Sequence, residues 1–577
     1  MRPLAIIVLG PAAMALAERL RAMAPGSRIH GLRSRLGVLG ADCDELYDDF
    51  GIRLRELHAG ESPVLALCAA GIIIRALAPR LADDDKLQGA AVLAVAPDGS
   101  SVVPLLGGLR GANDLAREIA LSLDGHAAIT TSGELRFGTC LLQPPPGYVL
   151  ADIEHGKRLV SGLLAGDTIR IEGEAPWLDQ VDLPRAAAAT HSLQISASIQ
   201  APDASSLRIY PRNLVLACRH DSDTDATGLA ARIRQHLAAA GLAVEALAVV
   251  LIGAAGRHQQ IVAEAARELG ASLRLVDSLP LDAATLLRQT LPELPPCGEP
   301  GPTLALAQAD RPVDPASIGR PRGKLSVIGL GPGHATYMVP AARAALEQAT
   351  DILGYATYVE MAGPLRPGQR RHPSDNREEL QRAAHGFTLA AEGRHVAMVS
   401  SGDPGVFAMA AATLEALEAG TDPAWHEVEL EILPGVSAAL ACAAIAGAPL
   451  GHDFCLISLS DNLKPWSLIE RRLALAAEAD LAMGWYNPIS RHRPWQLDRA
   501  LDIVRRHRDG STPVVLGRNI ARPGARLNTV ALQDLRSEMV DMRTVVIIGS
   551  STTRRFSHEN GREWIYTPRS HPFQKPG

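Results

Sequence analysis

The sequence predicts an α/β protein built from several domains. Short apolar runs, each about the length of a buried strand, alternate with helical stretches along the chain. Small residues follow many of these runs, as at Gly329, Gly331 and Gly333, where three glycines stand in one turn. A Pro/Gly-rich stretch over 291–323 separates two such regions. With 577 residues, the chain is long enough for roughly three to four domains.

Composition narrows the class of protein. Hydrophobic residues make up 47% and charged residues 21% of the chain, which is typical of a globular protein with an ample core. The net charge of −6 offers no basic field to nucleic acid. The seven cysteines form no C-x-x-C pair, which favours reduced thiols in the cytoplasm over a disulfide frame or a metal site. No apolar run approaches the ~18 residues of a membrane span.

The first half of the chain shows strand and helix patterns of its own. The run Leu4–Leu9 is interpreted as a strand rather than a signal peptide, because Gly10-Pro11 breaks it after six residues. Ala91–Ala96 and Ser101–Leu105 flank Asp98-Gly99 and predict a hairpin. The predicted divisions are an α/β domain at 1–130, a β-rich region at 131–211, a second α/β domain at 212–310, and a linker at 311–323.

The remaining unit, 324–577, is predicted to contain two α/β lobes, at about 324–434 and 435–569. Its first strand, Leu325–Ile328, leads into the glycine turn and then a helix over 335–349 with Thr336 as N-cap. Four more strands end in comparable turns, at 400–405, 434–437, 486–488 and 517–519. An Ala-rich helix is expected after the second of these turns, with Ser437 as its N-cap. In an open α/β sheet the ligand crevice lies outside the carboxyl ends of the strands. These five turns therefore predict a shared ligand site.

A Rossmann dinucleotide site is the first alternative for this glycine turn. Asp351 lies at the spacing of a ribose-binding acid, but it precedes the apolar run Ile352-Leu353, whereas that acid should follow its strand. The spacing is also G-x-G-x-G rather than G-x-G-x-x-G. Asp351 is therefore interpreted as a loop residue.

The turns together carry a resemblance to a known family. GLGPG (329–333), SGDPGVF (401–407), PGVSA (434–438), YNP (486–488) and VVIIGSS (545–551) resemble the class III tetrapyrrole methyltransferases. GYATYVEM (354–361), LGHDFCLISLSDNLKPW (450–466) and YNPISRHR (486–493) are similar to the branch that methylates precorrin-3B at carbon 17 and contracts the ring. Gly549-Ser550-Ser551 departs from the family's usual Gly-Asn-Ser, and Ala525 stands where Glu is common.

The resemblance implies an S-adenosylmethionine-dependent methyltransferase of cobalamin biosynthesis. Its substrate would be precorrin-3B or cobalt-precorrin-3 and its product precorrin-4 or the cobalt form. Members of the family are typically homodimers. Methylation of another precorrin carbon, or of an RNA or protein target, remains open at this point, because all these enzymes share the cofactor turns.

The first half resembles the cobalt-precorrin-5A hydrolases less closely. GIIIRALAPRLADDD (71–85), LLGGLRGANDLA (105–116), ITTSGEL (129–135) and NLVLACRHDSDTDATGLAARI (213–233) carry this similarity. Gly108-Leu109-Arg110 replaces the family's Gly-His pair, and Leu216-Ala217-Cys218-Arg219 lacks its glycines. Two hypotheses follow: a bifunctional enzyme with a hydrolase half, which would favour the cobalt-containing route, or a half that only binds corrinoids.

The resemblance and the turn positions together give candidate site residues. The cofactor candidates share positions in the strand-end turns: Gly331, Pro332, Gly402, Asp403, Pro404, Val406, Phe407, Ser437, Ala438, Tyr486, Asn487, Arg518 and Asn519. The substrate candidates are cations that suit a molecule with many carboxylates: Arg491, His492, Arg493 and Arg522. His452 and Asp453 are candidates for proton transfer during ring contraction.

Each of these assignments has a plainer alternative. His452 and Asp453 are expected to follow a strand end, yet a His-Asp pair in a loop is often structural. Several of the arginines would equally suit a solvated surface. Cys218 is interpreted as a small buried residue rather than a nucleophile, because the sequence shows no partner for it.

Overall fold

A computed structural model describes residues 3–570 except 25, 38–42, 61, 82–88, 180, 200–202, 204, 221–223, 255–258, 278–281, 364–365, 367, 376–377, 491–492 and 559–560. The chain divides into two compact units, Met1–Pro321 and Arg322–Gly577, and each is described by itself. Among the described residues, no helix combines the length and the apolar character needed to cross a lipid bilayer.

The N-terminal unit begins with a seven-stranded sheet flanked by five helices. Its strands are β1 (Ala5–Val8), β2 (Arg28–Leu32), β3 (Glu45–Tyr47), β4 (Val64–Leu67), β5 (Val92–Val95), β6 (Ser101–Leu106) and β7 (His126–Ala127). Its helices are α1 (Met14–Met23), α2 (Arg33–Leu36), α3 (Phe50–His58), α4 (Ala70–Leu81) and α5 (Ala112–Leu123). The spatial order is β3-β2-β1-β4-β5-β6-β7.

This sheet buries both of its faces. Strands β1 to β5 are parallel, and β6 returns antiparallel to β5, which confirms the predicted hairpin. Alternate residues of a strand point to opposite faces. Ile6 therefore packs with α1 and α5, whereas Ile7 packs with α3 and α4.

The next 80 residues form a four-stranded sheet with two helices. The strands β8 (Tyr148–Leu150), β9 (Ile169–Glu172), β10 (His191–Ile195) and β11 (Ser206–Pro211) lie in the order β8-β11-β10-β9. The region predicted to be β-rich also contains α6 (Ser132–Phe137) and α7 (Ile153–Ala165). Phe137 and Leu159 of these helices are buried against Leu193 and Ile209 of the sheet, so helix and sheet share one core.

A third sheet completes this unit. Strands β12 (Leu214–Cys218), β13 (Leu247–Gly253), β14 (Ser272–Val276), β15 (Pro296–Cys297) and β16 (Leu304–Gln308) lie in the order β14-β13-β12-β16-β15. Helices α8 (Ala226–Ala239) and α9 (Gln259–Glu268) pack on one face, and α10 (Ala283–Thr290) packs on the other. Cys218 is buried at the end of β12, as interpreted from the sequence.

The C-terminal unit begins with a fully parallel sheet in the order β19-β18-β20-β17-β21. Its strands are β17 (Lys324–Gly329), β18 (Asp351–Tyr355), β19 (Arg370–Ser374), β20 (His395–Ser400) and β21 (Glu429–Leu433). Its helices are α11 (Pro340–Gln348), α12 (Ala356–Met361), α13 (Glu379–Ala391), α14 (Met409–Ala419) and α15 (Pro423–His426). Helices α13 and α14 cover one face, and α11 and α12 the other.

The chain passes to a second sheet after β21. Its elements are α16 (Ala438–Ala446), β22 (Gly447–Ala448), β23 (Phe454–Ser458), α17 (Trp466–Glu478), β24 (Ala482–Tyr486), α18 (Gln496–Val504), β25 (Pro513–Arg518), β26 (Arg526–Ala531), β27 (Thr544–Ile548), β28 (Arg554–Ser557) and β29 (Glu563–Tyr566). The main sheet has the order β23-β24-β27-β25-β26, and β22, β29 and β28 form a small one. Strand β27 is antiparallel to both β24 and β25, so β24 and β25 run in the same direction.

Two local predictions are wrong. The helix expected to start near Thr336 starts at Pro340, because a short 3₁₀ turn at Ala335–Tyr337 intervenes and His334 caps that turn. Asp351, interpreted as a loop residue, is the first residue of β18 and is 1% exposed.

Asp351 is buried as an ion pair. It accepts a hydrogen bond from Thr350 Oγ1 at 2.7 Å and lies 2.8 Å from His372 Nε2 and 3.2 Å from Arg394 Nη1. Burial alone would raise the pKa of Asp351, but the hydrogen bonds from Thr350 and His372 and the charge of Arg394 outweigh burial and lower the pKa. Asp351 lies at the amino end of β18, whereas the strand-end turns lie at the carboxyl ends of their strands. Asp351 therefore fills no ribose-binding position.

Candidate functional site

The predicted turns come together in the C-terminal unit. Strands β17, β20 and β21 are parallel neighbours, so their carboxyl ends meet at one edge of the first sheet. Strands β23, β24 and β25 likewise point the same way in the second sheet. Hydrogen bonds from Arg522, in the loop after β25, to Pro332 O and Ser401 Oγ, both at 2.7 Å, join the two edges. The site is the crevice between these edges.

Three glycines let the turns of the first sheet pack backbone against backbone. A Cβ on Gly329 would lie 2.5 Å from Gly402 O and 2.8 Å from Gly435 N, and a Cβ on Gly435 would lie 2.2 Å from Gly402 O. Gly331 and Gly402 also exchange backbone hydrogen bonds of 3.2 and 2.8 Å. No larger residue fits at Gly329 or Gly435 without moving the backbone.

Gly402 has a different role from its neighbours. Its φ of +74° is in the left-handed region, and a Cβ there would meet nothing closer than Ser437 Cα at 3.7 Å and Ala438 N at 3.8 Å. A Cβ at Gly402 would therefore lie in ordinary van der Waals contact with the start of α16, so the turn and the amino end of this helix are already close together. A larger, branched side chain at this position would have to extend past this contact and would also be strained by the positive φ.

Asp403 holds the turns in place. Its Oδ1 accepts a hydrogen bond from Gly405 N at 2.8 Å, and its Oδ2 accepts one from Gly435 N at 3.0 Å. The sequence suggested that Asp403 contacts the cofactor directly. In the structure, each carboxylate oxygen of Asp403 accepts from a backbone donor of a different turn. The backbone carbonyls Pro404 O and Asp403 O accept from Ala410 N and Val406 N.

The amino end of α16 faces the Gly402 turn. Ser437 caps the helix by accepting from Leu440 N at 3.3 Å, which confirms the predicted cap. Tyr486 Oη accepts from Ala439 N at 2.9 Å, so a residue of the second sheet also fixes this helix end. Burial raises the pKa of Tyr486, and the phenol therefore remains protonated at neutral pH. The helix amino end, next to Ala438, favours a ligand atom that carries negative charge.

Two asparagines end strands of the second sheet in left-handed backbone. Asn487 has φ of +51° and Asn519 has φ of +50°. Asparagine adopts this conformation more readily than most residues. Asn487 Nδ2 donates to Ser458 Oγ at 3.0 Å, which ties the end of β24 to the end of β23.

The predicted cations are mostly engaged within the protein. Arg518 Nε lies 2.8 Å from Asp541 Oδ2, and Arg493 Nη1 lies 2.5 Å from Ser460 Oγ and 3.4 Å from Asp461 Oδ1. Arg522 donates to Pro332 O and Ser401 Oγ, in the turns after β17 and β20. Arg491 and His492 lie outside the described residues.

His452 and Asp453 are placed away from the crevice. Both lie between the two-residue strand β22 and β23, at the amino end of β23 rather than at the carboxyl end of a strand of the main sheet. Phe454 pairs with Ala482 at the amino ends of two parallel strands, and five residues at about 3.3 Å each separate this edge from the carboxyl edge. The two side chains are 3.6 Å apart, with Asp453 84% exposed. The structure therefore does not bring this pair to the glycine turns.

Lys464 is a residue of the crevice that sequence reasoning missed. It lies in the loop after β23, and its Nζ is 5.8 Å from the centre of the Phe407 ring. Burial, and then the charge of Arg472, lower the pKa of Lys464. Phe407 is half exposed, has a strained φ of +54° and packs edge-on against Tyr486 at 5.5 Å. The only sequence feature that could have indicated Lys464 is its position in the loop that follows β23, which ends at Ser458.

Comparison with known proteins gives two family matches. The profile of Tetrapyrrole (Corrin/Porphyrin) Methylases matches residues 324–536. The profile of the Cobalamin synthesis G N-terminal family matches residues 53–134. The two matches fall in different units of the chain.

Individual relatives match the C-terminal unit. The precorrin-3B C(17)-methyltransferase of Sinorhizobium sp. is 52% identical over 248 residues, which are 43% of this chain and 96% of the relative. The cobalamin biosynthesis protein CobIJ of Mycobacterium bovis is 47% identical over 254 residues, and this chain spans about half (49%) of its length. The crystal structure of the methyltransferase CobJ matches at 51% identity and a TM-score of 0.41, covering 43% of this chain and all of that one.

The turns, the close approach of Gly402 to α16 and the amino end of this helix fit the cofactor of this family, S-adenosylmethionine, whose carboxylate and polar groups need backbone donors at close range. The chain covers 96% of a relative to which it is 52% identical in the aligned region. Through its C-terminal unit, the chain therefore belongs to the tetrapyrrole (corrin/porphyrin) methylases.

Proposed function

We propose that the C-terminal unit transfers a methyl group from S-adenosylmethionine to carbon 17 of precorrin-3B or its cobalt form, with contraction of the ring, in cobalamin biosynthesis. The observation that carries the proposal is the 52% identity to a precorrin-3B C(17)-methyltransferase over 96% of its length. A cobalt-factor III methyltransferase of Priestia megaterium is 40% identical over 235 residues. The metal-free substrate is therefore favoured, with the cobalt form as the alternative.

The cofactor is proposed to bind where the Gly402 turn faces the amino end of α16. S-adenosylmethionine supplies a methyl group that is already activated by its sulfonium. The task of the protein is to hold donor and acceptor in line, which can contribute roughly 7–11 kcal/mol in favourable cases. Ala438 would present a backbone group to the cofactor, and Gly331 and Gly402, whose N–H groups bond to each other's carbonyls, would let the backbone approach it closely. Asn487 and Asn519 would line the other side of the cofactor. Asp403 and Arg522 would keep these groups in position.

The substrate is proposed to lie on the Phe407 side of the crevice. Phe407 offers an exposed aromatic face for the macrocycle, and Lys464 offers a partly desolvated cation for one of its carboxylates. A strained, exposed aromatic residue next to a cofactor turn is the kind of feature that function maintains against its cost in stability. His452 and Asp453 take no part in this proposal.

The proposal is tested with purified protein, labelled S-adenosylmethionine and each candidate substrate. We expect transfer of label to precorrin-3B at a higher rate than to cobalt-precorrin-3. Transfer only to a different precorrin would support the alternative of methylation at another ring carbon. We further propose that the enzyme works in the cytoplasm as a homodimer, which light scattering on the full chain will test.

A second candidate function concerns the N-terminal unit. Its match to the Cobalamin synthesis G N-terminal family favours a role on a cobalamin precursor, either as a cobalt-precorrin-5A hydrolase or as a corrinoid-binding module. The stretch that lacks the family's glycines lies in buried β12, which disfavours ligand approach there. Release of acetaldehyde from cobalt-precorrin-5A would support the hydrolase, and binding without release would support the module.

A further inference from the structure

The N-terminal unit contains a partly open cavity of about 690 Å³. Its walls come from the end of β6 with the turn at 107–109, the first turn of α5, helix α6, and the segment 139–142. Ligand pockets in proteins typically measure 300–1,000 Å³. The cavity is therefore large enough for a small molecule, and no residue of the methyl-transfer site contributes to it.

The backbone is shaped to leave this space open. Gly107 has φ of +83°, and a Cβ there would lie 2.7 Å from Ala91 Cα, so glycine is needed for the turn to pack. A Cβ on Gly108 would meet nothing closer than Asn113 Nδ2 at 3.9 Å. Gly111 N donates to Gln143 Oε1 at 3.0 Å, which fixes the neighbouring wall.

One end of the cavity carries a polar network that is buried at Asn113 and Glu134 and exposed at Thr131. Asn113 Nδ2 donates to Thr131 Oγ1 at 2.9 Å and to a carboxylate oxygen of Glu134, whose side chain is 1% exposed. The other carboxylate oxygen of Glu134 pairs with Arg117. Burying a charged group is costly unless it is paired, and here Arg117 neutralises it within the protein. This end therefore offers hydrogen-bonding groups without a net charge.

The rest of the lining is mainly apolar, with Leu105, Leu106, Leu109, Phe137 and Leu141 among its residues. No lysine or arginine stands among the described residues of the lining. The lining does include His58, whose Nδ1 lies 2.9 Å from Ala90 O. A ligand with several carboxylates would lose its hydration on entry and find no lysine or arginine of the described lining in return. The cavity thus differs from a site built for a whole polycarboxylate tetrapyrrole.

We propose that this cavity is a second ligand site of the chain and that it binds an uncharged, largely apolar molecule. The hydrogen-bonding group of the ligand lies against Asn113 and Thr131, and its apolar body fills the space in front of Gly108. The site does not depend on methyl transfer, and its occupation is measurable without any tetrapyrrole.

Two dyes that differ in one charge test the proposal on the full chain. N-phenyl-1-naphthylamine is an uncharged apolar amine, and 1-anilinonaphthalene-8-sulfonate has the same body with a sulfonate. In fluorescence titrations we expect saturable binding of the uncharged dye at one site, and at least tenfold weaker binding of the sulfonate. Gly108→Phe should reduce binding of the uncharged dye at least tenfold, whereas Leu121→Phe, on an exposed position of α5, should leave it unchanged.

If wild type and Gly108→Phe bind the uncharged dye equally well, the proposed site is refuted. If both dyes bind with equal affinity and Gly108→Phe weakens both, the proposed preference for an uncharged ligand is refuted. Uroporphyrin III, with eight carboxylates, is the third probe. Its Gly108-dependent binding would also refute the proposal and would support a macrocycle site instead. If Gly108→Phe fails to fold, Thr131→Val is the second variant, because it removes one hydroxyl at nearly constant volume. It should weaken binding of the uncharged dye about three- to tenfold, and unchanged binding would count against the proposal.

Discussion

Replacement of Lys464 by methionine tests the substrate side of the crevice. Lys464 stands beside the exposed ring of Phe407 and has no ion pair with a carboxylate among the described residues. Methionine keeps most of the length and the apolar stem of lysine but removes the charge. The loss is therefore confined to whatever the ammonium group binds.

The expected magnitude follows from the chemistry of that contact. A hydrogen bond to a charged group contributes about 1.5–3 kcal/mol. Since a tenfold change in an equilibrium constant corresponds to about 1.4 kcal/mol, Lys464→Met should raise the KM for the tetrapyrrole roughly 10- to 150-fold. Lys464→Arg, which keeps the charge, should recover most of this loss.

Steady-state kinetics with precorrin-3B, together with calorimetric titration of S-adenosylhomocysteine, provide the assay. Cofactor affinity should stay within twofold of wild type, because Lys464 contacts none of the backbone donors at Gly402 or Ala438. Arg499→Met is the matched control, since the Arg499 side chain is 63% exposed and lies on α18. A KM within twofold of wild type for Lys464→Met would refute the placement of a substrate carboxylate at this residue.

Three further predictions concern the turns and the buried ion pair. Gly402→Val should abolish binding of S-adenosylhomocysteine in calorimetry while the protein stays folded. Gly138→Val, at a glycine with φ of +77° and nothing within 4 Å of an added Cβ, introduces similar backbone strain and should leave binding intact; the reverse pattern would contradict the account. Asp403→Asn should lower the free energy of unfolding by about 1–3 kcal/mol in denaturant titrations, because an amide nitrogen would face a backbone N–H; unchanged stability would refute the bracing role. The lowered pKa of Asp351 means that its contribution to stability is present above the unfolded pKa of about 3.9 and is lost as pH falls through the folded pKa. Asp351→Asn should therefore lower the free energy of unfolding at pH 7, and the difference in this free energy from wild type should shrink below about pH 4. A difference that grows on acidification would show that Arg394 does not hold the carboxylate in its charged form.

The sequence predicted the strand-end turns well because each turn is determined by residues that are adjacent in the chain. Apolar runs of strand length, followed by glycine or asparagine, marked β17, β20, β21, β24 and β25, and the structure confirms each strand. The cap at Ser437 was equally local. Such features depend on a few adjacent residues, so a single sequence reveals them.

The sequence alone could not predict features that depend on residues far apart in the chain. Asp403 braces two turns through Gly435, which lies 32 residues away, so the sequence offered no reason to prefer bracing to cofactor contact. Asp351 looked like a loop residue because its partners His372 and Arg394 are supplied by other strands and turns. His452 was placed at the wrong edge because strand polarity depends on where β23 begins, and its start was not visible in the apolar pattern.

The most direct test of the central claim is the position of the transferred methyl group. Precorrin-3B is incubated with the full-length protein and S-adenosylmethionine labelled with ¹³C in the methyl group, and the product is examined by NMR spectroscopy and mass spectrometry. The account predicts one labelled methyl at carbon 17 of a ring-contracted product. Label at any other carbon, or no transfer by a protein that binds S-adenosylhomocysteine, would contradict it.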